Sequence, residues 1–143
     1  VVYVVAANSQ IGWMTRKPGA PPVWNAGALI TDALTQDRIA LAALPGGGAV
    51  MAFRGLNTNI YTSLYTPGAN PPWSAPAPLA APNYSTPSSP ALAPGIGGAT
   101  AELVFADGAT GKAWHARLLG QTWQSPTQIG GTGVQFVGLS SSP

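Results

Sequence analysis

The chain contains no cysteine, so neither a disulfide nor thiol chemistry is open to it, and cysteine usage leaves the compartment undecided. Charge is scarce: 7% of the 143 residues are Asp, Glu, Lys or Arg, where about a quarter is usual. The six Lys and Arg form no cluster, so a phosphate-binding patch and a nucleic-acid partner are not expected. No apolar run approaches the length of a membrane-spanning helix, so membrane insertion is not expected either. The opening VVYVVAA is too short to span and lacks the basic flank of a signal peptide. Because the chain opens on Val rather than Met, a removed leader or a longer parent chain is expected.

The four acids are Asp32, Asp37, Glu102 and Asp107. Glycoside hydrolysis needs two carboxylates at a set separation, and no pair here is spaced to supply them, so no enzymatic activity is expected. A single histidine, His115, without cysteine and with few acids, cannot build a metal site of usual composition. No metal and no cofactor are therefore expected. His115 alternates with Trp114, which puts the two on opposite faces of a strand and lets His115 be read as a surface or edge residue. The segments Pro45–Gly48 and Pro94–Gly98 are Gly-rich but open no helix and carry no Lys, so they are turns rather than phosphate loops.

What the chain does have is 45% apolar residues in short runs, 18 Gly, 15 Pro and five Trp. Short apolar runs punctuated by turn residues point to an all-β chain rather than to disorder. Glu102 to Gly130 reads as three strands in a row: ELVFA ending at the turn Asp107-Gly108, KAWHARLL around Trp114, and TWQSPTQIG after the turn Gly120-Gln121. Met51 to Ala80 and Val1 to Ile30 repeat the outline. Trp24, Trp73 and Trp123 recur roughly 50 residues apart, a period that marks a repeat architecture. With a gap of two in the second turn of the last copy, Trp13 meets Thr62 and Trp114, and Arg16 meets Tyr65 and Arg117. Tyr3, Ala52 and Val104 fall together, as do Val4, Phe53 and Phe105, and Pro76 coincides with Pro126.

A leading strand precedes the second copy (Arg38 to Ala42) and the third (Pro90 to Ala93), but not the first, which begins at Val1. A spare run, Val134 to Leu139, follows the third. The expectation is one domain, 1–143, of three four-stranded units: 1–30 plus 134–143, 38–80 and 89–130. Thr31–Asp37 is expected to be a loop, and Ala80–Ser89 a linker. Such units, one of them assembled from both termini, are the blades of a β-propeller. Three blades cannot close a circle and would leave apolar faces in water. Two chains are therefore expected to join as a homodimer with six blades; the alternative is that this chain is one piece of a longer or cleaved propeller and pairs with a different segment.

The aromatics have two readings. Trp24, Trp73 and Trp123 can pack neighbouring units together. Alternatively, indoles can stack on the apolar face of a sugar while Arg, Asn, Ser, Thr and backbone hold its hydroxyls, a site that needs no catalytic acid. Repetition would then turn weak binding at each site into avidity on a glycan-coated surface.

The segment ELVFADGATGKAWHARLLGQTWQSPTQIGG resembles the repeat of bacterial propeller lectins of the Photorhabdus PLL type: an apolar strand ending in Phe or Val, Asp-Gly, an aromatic-His pair, G-x-x-W and a closing Gly-Gly. Met51 to Ala80 follows it less closely, with Leu56-Asn57 for Asp-Gly and Thr62-Ser63 for Trp-His, and Val1 to Ile30 less again. The resemblance implies a non-enzymatic lectin binding monosaccharides, often fucose or O-methylated sugars, between adjacent blades, and so acting as a secreted or cell-surface protein. Carried over, the site residues are Trp114, His115 and Arg117 in the third copy, Trp13 and Arg16 in the first, Tyr65 in the second, and Trp24, Trp73 and Trp123. The alternative is a propeller serving as a structural or protein-interaction platform.

Overall fold

The computed structural model describes residues 1–80, 83–135 and 137–139. Part of the expected 80–89 linker and, within the expected 134–143 segment, Phe136 and residues 140–143 lie outside the described residues. The protein is all-β, built from several antiparallel sheets, none of them closed.

The first sheet joins β1 (Val2–Val4), β2 (Gln10–Trp13) and β5 (Ala28–Leu34) in that order, and β3 (Arg16–Lys17) pairs β4 (Val23–Trp24) beside it. The second is a meander of β6 (Ala40–Ala43), β7 (Ala49–Arg54), β8 (Ile60–Tyr65) and β9 (Ala77–Pro78). The third repeats that meander in β10 (Ala91–Pro94), β11 (Ala101–Ala106) and β12 (Ala113–Leu119). Its outer strand is broken into β13 (Thr122–Trp123) and β14 (Thr127–Gln128), both paired to β12. The breaks follow from sequence: Pro126 in the third sheet and Pro71, Pro72 and Pro76 in the second have no N–H for a ladder, and outer strands are where such residues are tolerated. The turn into β7 uses Gly46 and Gly47 at φ of 74° and 80°, a backbone that disfavours any side chain.

The sheets stack face to face. Ile11, Ile30, Val2 and Trp13 of the first sheet pack on Met51, Phe53, Tyr61 and Tyr65 of the second. The other face of the second sheet, Val50, Ala52, Ile60 and Leu64, packs on Ala101, Leu103, Phe105, Ala116 and Leu118 of the third. The alternation of β7 decides this. AVMAFR is apolar on both faces because both are covered, the pattern of a strand buried on each side. The links between sheets are fixed by two buried threonines about one repeat apart. Thr35 donates its hydroxyl to the Arg54 carbonyl (2.7 Å) and accepts from the Asp37 N–H, and Thr86 donates to the Ser88 carbonyl (2.8 Å).

Three local expectations are revised. Thr31–Leu34 continues β5 rather than forming a loop, because Leu34 pairs with Gln10 across a bulge. Among the described residues of 134–139 none is in a strand. Val134 instead donates its N–H to the Gly111 carbonyl and Gln135 accepts from Ser88 Oγ, so the run follows the third sheet. The register of the copies also shifts by one. The bonds that close the first turn of each unit run Val5→Gln10, Gly55→Asn59 and Asp107→Lys112, so the last turn is one residue longer than the middle one. Tyr3, Phe53 and Phe105 are then equivalent, as are Trp13, Thr62 and His115, and Arg16, Tyr65 and Leu118. Arg117 therefore stands with Leu64, not with Arg16 and Tyr65.

Candidate functional site

In this register the three recurrent tryptophans are equivalent in backbone as well as in sequence. Trp24 lies opposite Arg16, Trp73 opposite Tyr65 and Trp123 opposite Leu118. Trp24 and Trp123 end the two-residue strands β4 and β13, and Trp73 makes an isolated bridge ahead of β9.

At the junction of the first and second sheets a hollow of about 130 Å³ is walled by Trp13, Leu29 and Ile30 on one side and Pro71, Pro72, Trp73 and Ser74 on the other. At the next junction a hollow of about 320 Å³ is walled by Thr62, Pro78 and Leu79 and by Gln121, Thr122 and Trp123. Six wall positions correspond, Leu29 with Pro78, Ile30 with Leu79, Trp13 with Thr62, Pro71 with Gln121, Pro72 with Thr122 and Trp73 with Trp123. Leu29 faces Gly12 as Pro78 faces Tyr61, and Trp13 and Thr62 are equivalent. The two hollows thus share a common frame of six equivalent positions. At the shared position the smaller hollow has the indole of Trp13 and the larger the short side chain of Thr62.

Trp13, Tyr65 and Trp73 come together at the first junction, with ring centroids 5.9 Å apart for Trp13–Tyr65 and 5.4 Å for Tyr65–Trp73, both tilted. The three also share a second apolar hollow of about 140 Å³ with Val2, Leu41 and Ala49. Trp73 is 6% exposed, and its indole Nε1 has no hydrogen-bond partner among the described residues. A buried donor without a partner is uncommon and carries a desolvation cost. Across the wall, Ser63 Oγ donates to the Ser74 carbonyl (2.7 Å) and Ser74 Oγ accepts from the Leu64 N–H (3.0 Å), which fixes the polar edge of the outer strand.

The third-unit candidates separate. Trp114 points toward the second sheet and packs on Tyr84, at 5.7 Å between centroids, and its Nε1 is also buried without a partner among the described residues. His115 and Arg117 lie on the opposite face of β12. His115 Nε2 is 2.7 Å from Glu102 Oε2, Arg117 Nε donates to Glu102 Oε1 at 3.3 Å, and Arg117 Nη2 donates to the carbonyls of Ile96 (2.8 Å) and Gly97 (3.2 Å). Cross-strand geometry makes this cluster, since Glu102 is directly opposite Arg117 and diagonal to His115. His115 is thus a half-buried member of an ion-pair cluster rather than a free surface residue. Arg16 and Trp24 are exposed, away from the aromatic group of the first junction.

Sequence reasoning assigns no binding role to Thr62, Ser74, Gln121, Thr122 or Glu102. The spacing of Thr62 from Trp73, matched by that of Trp13 from Trp24, is the signal that links them to the repeat. Asp107 holds Thr110, through its N–H (3.0 Å) and its hydroxyl, and does not join Glu102. Among the described residues no group of three or more His, Cys, Asp or Glu is placed to hold a metal ion. No helix among them is long and apolar enough to cross a membrane. A further hollow of about 750 Å³ mixes polar and apolar walls, Asp37, Arg38 and Ser88 with Ile39, Pro90 and Val137, where the links enter β6 and β10. No family model matches the chain, and no curated protein matches it.

Proposed function

We propose that this chain is a non-enzymatic lectin. Its sheets are propeller blades, two copies close a six-bladed homodimer, and monosaccharides of the fucose or O-methylated type bind between blades. The observation that carries this reading is the duplicated hollow, with the same wall positions at both junctions and a tryptophan heading one wall each time. Packing alone does not call for a hollow at each junction, whereas repeated ligand binding does. The larger hollow, at about 320 Å³, falls at the small end of the roughly 300–1,000 Å³ common for ligand sites. Trp123 supplies an apolar platform for a sugar's C–H face, and Thr62, Ser74, Gln121 and Thr122 supply hydroxyl and amide partners. The reading of the chain as a structural or protein-interaction platform draws on one observation, the near-complete burial of Trp73.

Calorimetric titration with methyl α-L-fucoside and with O-methylated hexosides separates the two. Binding is expected, and Thr62→Trp, which copies Trp13 at the equivalent position, is expected to lower affinity at the larger hollow at least tenfold with the fold retained. A wild-type chain that binds none of these sugars, nor any glycan on an array, overturns the lectin reading.

A further inference from the structure

The two ends of the stack are halves of the same site. At a junction inside the chain, one wall comes from the outer strand of the preceding sheet and the other from the tryptophan of the following one. Ile30 and Leu79, in the preceding walls, are each 3% exposed. Their equivalent in the third sheet is Ile129, whose N–H bonds the Ala113 carbonyl as that of Leu79 bonds the Ile60 carbonyl. Ile129 is 58% exposed. Trp24, the equivalent of the buried Trp73, is 46% exposed. Tyr3 is half-buried, where its equivalents Phe53 and Phe105 are fully covered. The positions exposed at the two ends are therefore those that bury one another at each internal junction, and each end lacks what the other carries.

We propose that a second copy of this chain seats its first sheet on the third sheet of the first copy. Trp24 of one copy then closes a third pocket over His115, Thr127, Gln128 and Ile129 of the other. The proposal rests on the lectin reading for its ligand and on the internal junctions for its geometry. It also assigns that pocket a chemistry the other two lack. The wall position held by Trp13 in the first pocket and Thr62 in the second is held here by His115, whose Nε2 is tied to Glu102 with Arg117 alongside. The imidazole Nδ1 is the remaining ring nitrogen for a ligand hydroxyl. The third pocket thus takes a neutral sugar whose hydroxyl can bond an imidazole, in place of the purely apolar wall at Trp13.

The absence of cysteine gives a direct test. A Trp24→Cys chain is mixed with an Ile129→Cys chain and treated with a short bis-maleimide. Both positions are largely exposed, so neither substitution disturbs the core. The mixture is expected to yield a covalent pair of chains, each variant alone far less, and a cross-link no more frequent in the mixture than in either variant alone overturns the proposal. Titration with methyl α-L-fucoside then reads the pocket itself. Trp24→Ala is expected to remove one binding equivalent per chain while the dimer persists, and an equal mixture of Trp24→Ala with Ile129→Ala chains to regain about a quarter of it, because half of the randomly assorted dimers are mixed and one of the two junctions in a mixed dimer is intact. Unchanged stoichiometry in Trp24→Ala overturns the pocket. Cross-linking without any sugar binding by the wild type overturns the lectin reading and leaves the composite junction supported.

Discussion

The second and third sheets present the same face to whatever follows them, and they have built it differently. In the second sheet that face holds Val50, Ala52 and Leu64, buried or nearly so against the third. In the third sheet the equivalent positions hold Glu102, Val104 and Arg117, with His115 where the second has Thr62. The backbone pairing is the same, since Val50 faces Leu64 as Glu102 faces Arg117. A face covered within its own chain during folding can be uniformly apolar, because it is never open to water. On the third sheet Glu102 and Val104 are themselves buried, at 7% and 8% exposure, and it is His115 and Arg117, held over them by the carboxylate, that meet solvent. The difference shows how two copies of one repeat come to present unlike faces through a few substitutions on one side of one sheet.

Exchanging the two faces breaks the comparison most sharply. Val50→Glu with Leu64→Arg puts the open-face pair under the third sheet, where ions lose their water without a site shaped for them. A loss of about 3–5 kcal/mol is expected, read as the midpoint of urea unfolding, and retention of wild-type stability would mean that this face is not packed as described. Removing one partner from the open face is gentler. Glu102→Ala leaves His115 and Arg117 without their carboxylate, and both retain contact with solvent, so a cost of about 1 kcal/mol is expected after allowing for screening. The smallest effect is expected from the reverse exchange. Glu102→Val with Arg117→Leu removes both charges together and is expected to be within about 1 kcal/mol of wild type, while raising self-association at moderate salt. A large loss there would mean that the ion pair holds the third sheet together rather than wetting it.

The strand order was legible wherever turn residues and apolar runs agreed, as in β6 to β8 and β10 to β12. The period of the tryptophans was legible too, and it survives as equivalent cross-strand partners. What could not be read was the phase between strands. The middle turn, Gly55–Asn59, is one residue shorter than Val5–Gln10 and Asp107–Lys112, so one offset carried through all three turns slips by a residue and exchanges the faces of a strand, which pairs Arg117 with Arg16 and Tyr65 although it points the opposite way. The His115–Glu102 pair was hidden for the same reason, because diagonal neighbours across a hairpin depend on phase and not on spacing along the chain. The hollows were hidden because they lie between sheets, where the depth of a pocket depends on which of Trp13 and Thr62 stands at a shared position.

Under the proposed contact, the unlike ends of the stack carry a consequence for how copies would add. A contact between unlike patches is head-to-tail, and head-to-tail addition stops only when the chain of copies meets its own beginning. Nothing at Trp24 or Ile129 counts subunits. The count is set by the rotation from each sheet to the next, and so by the bulk of Met51, Phe53, Leu103 and Phe105 between them. Trimming one of those core side chains would alter the angle at every copy alike, and a protein that closes with one number of chains would close with another, or would grow without closing.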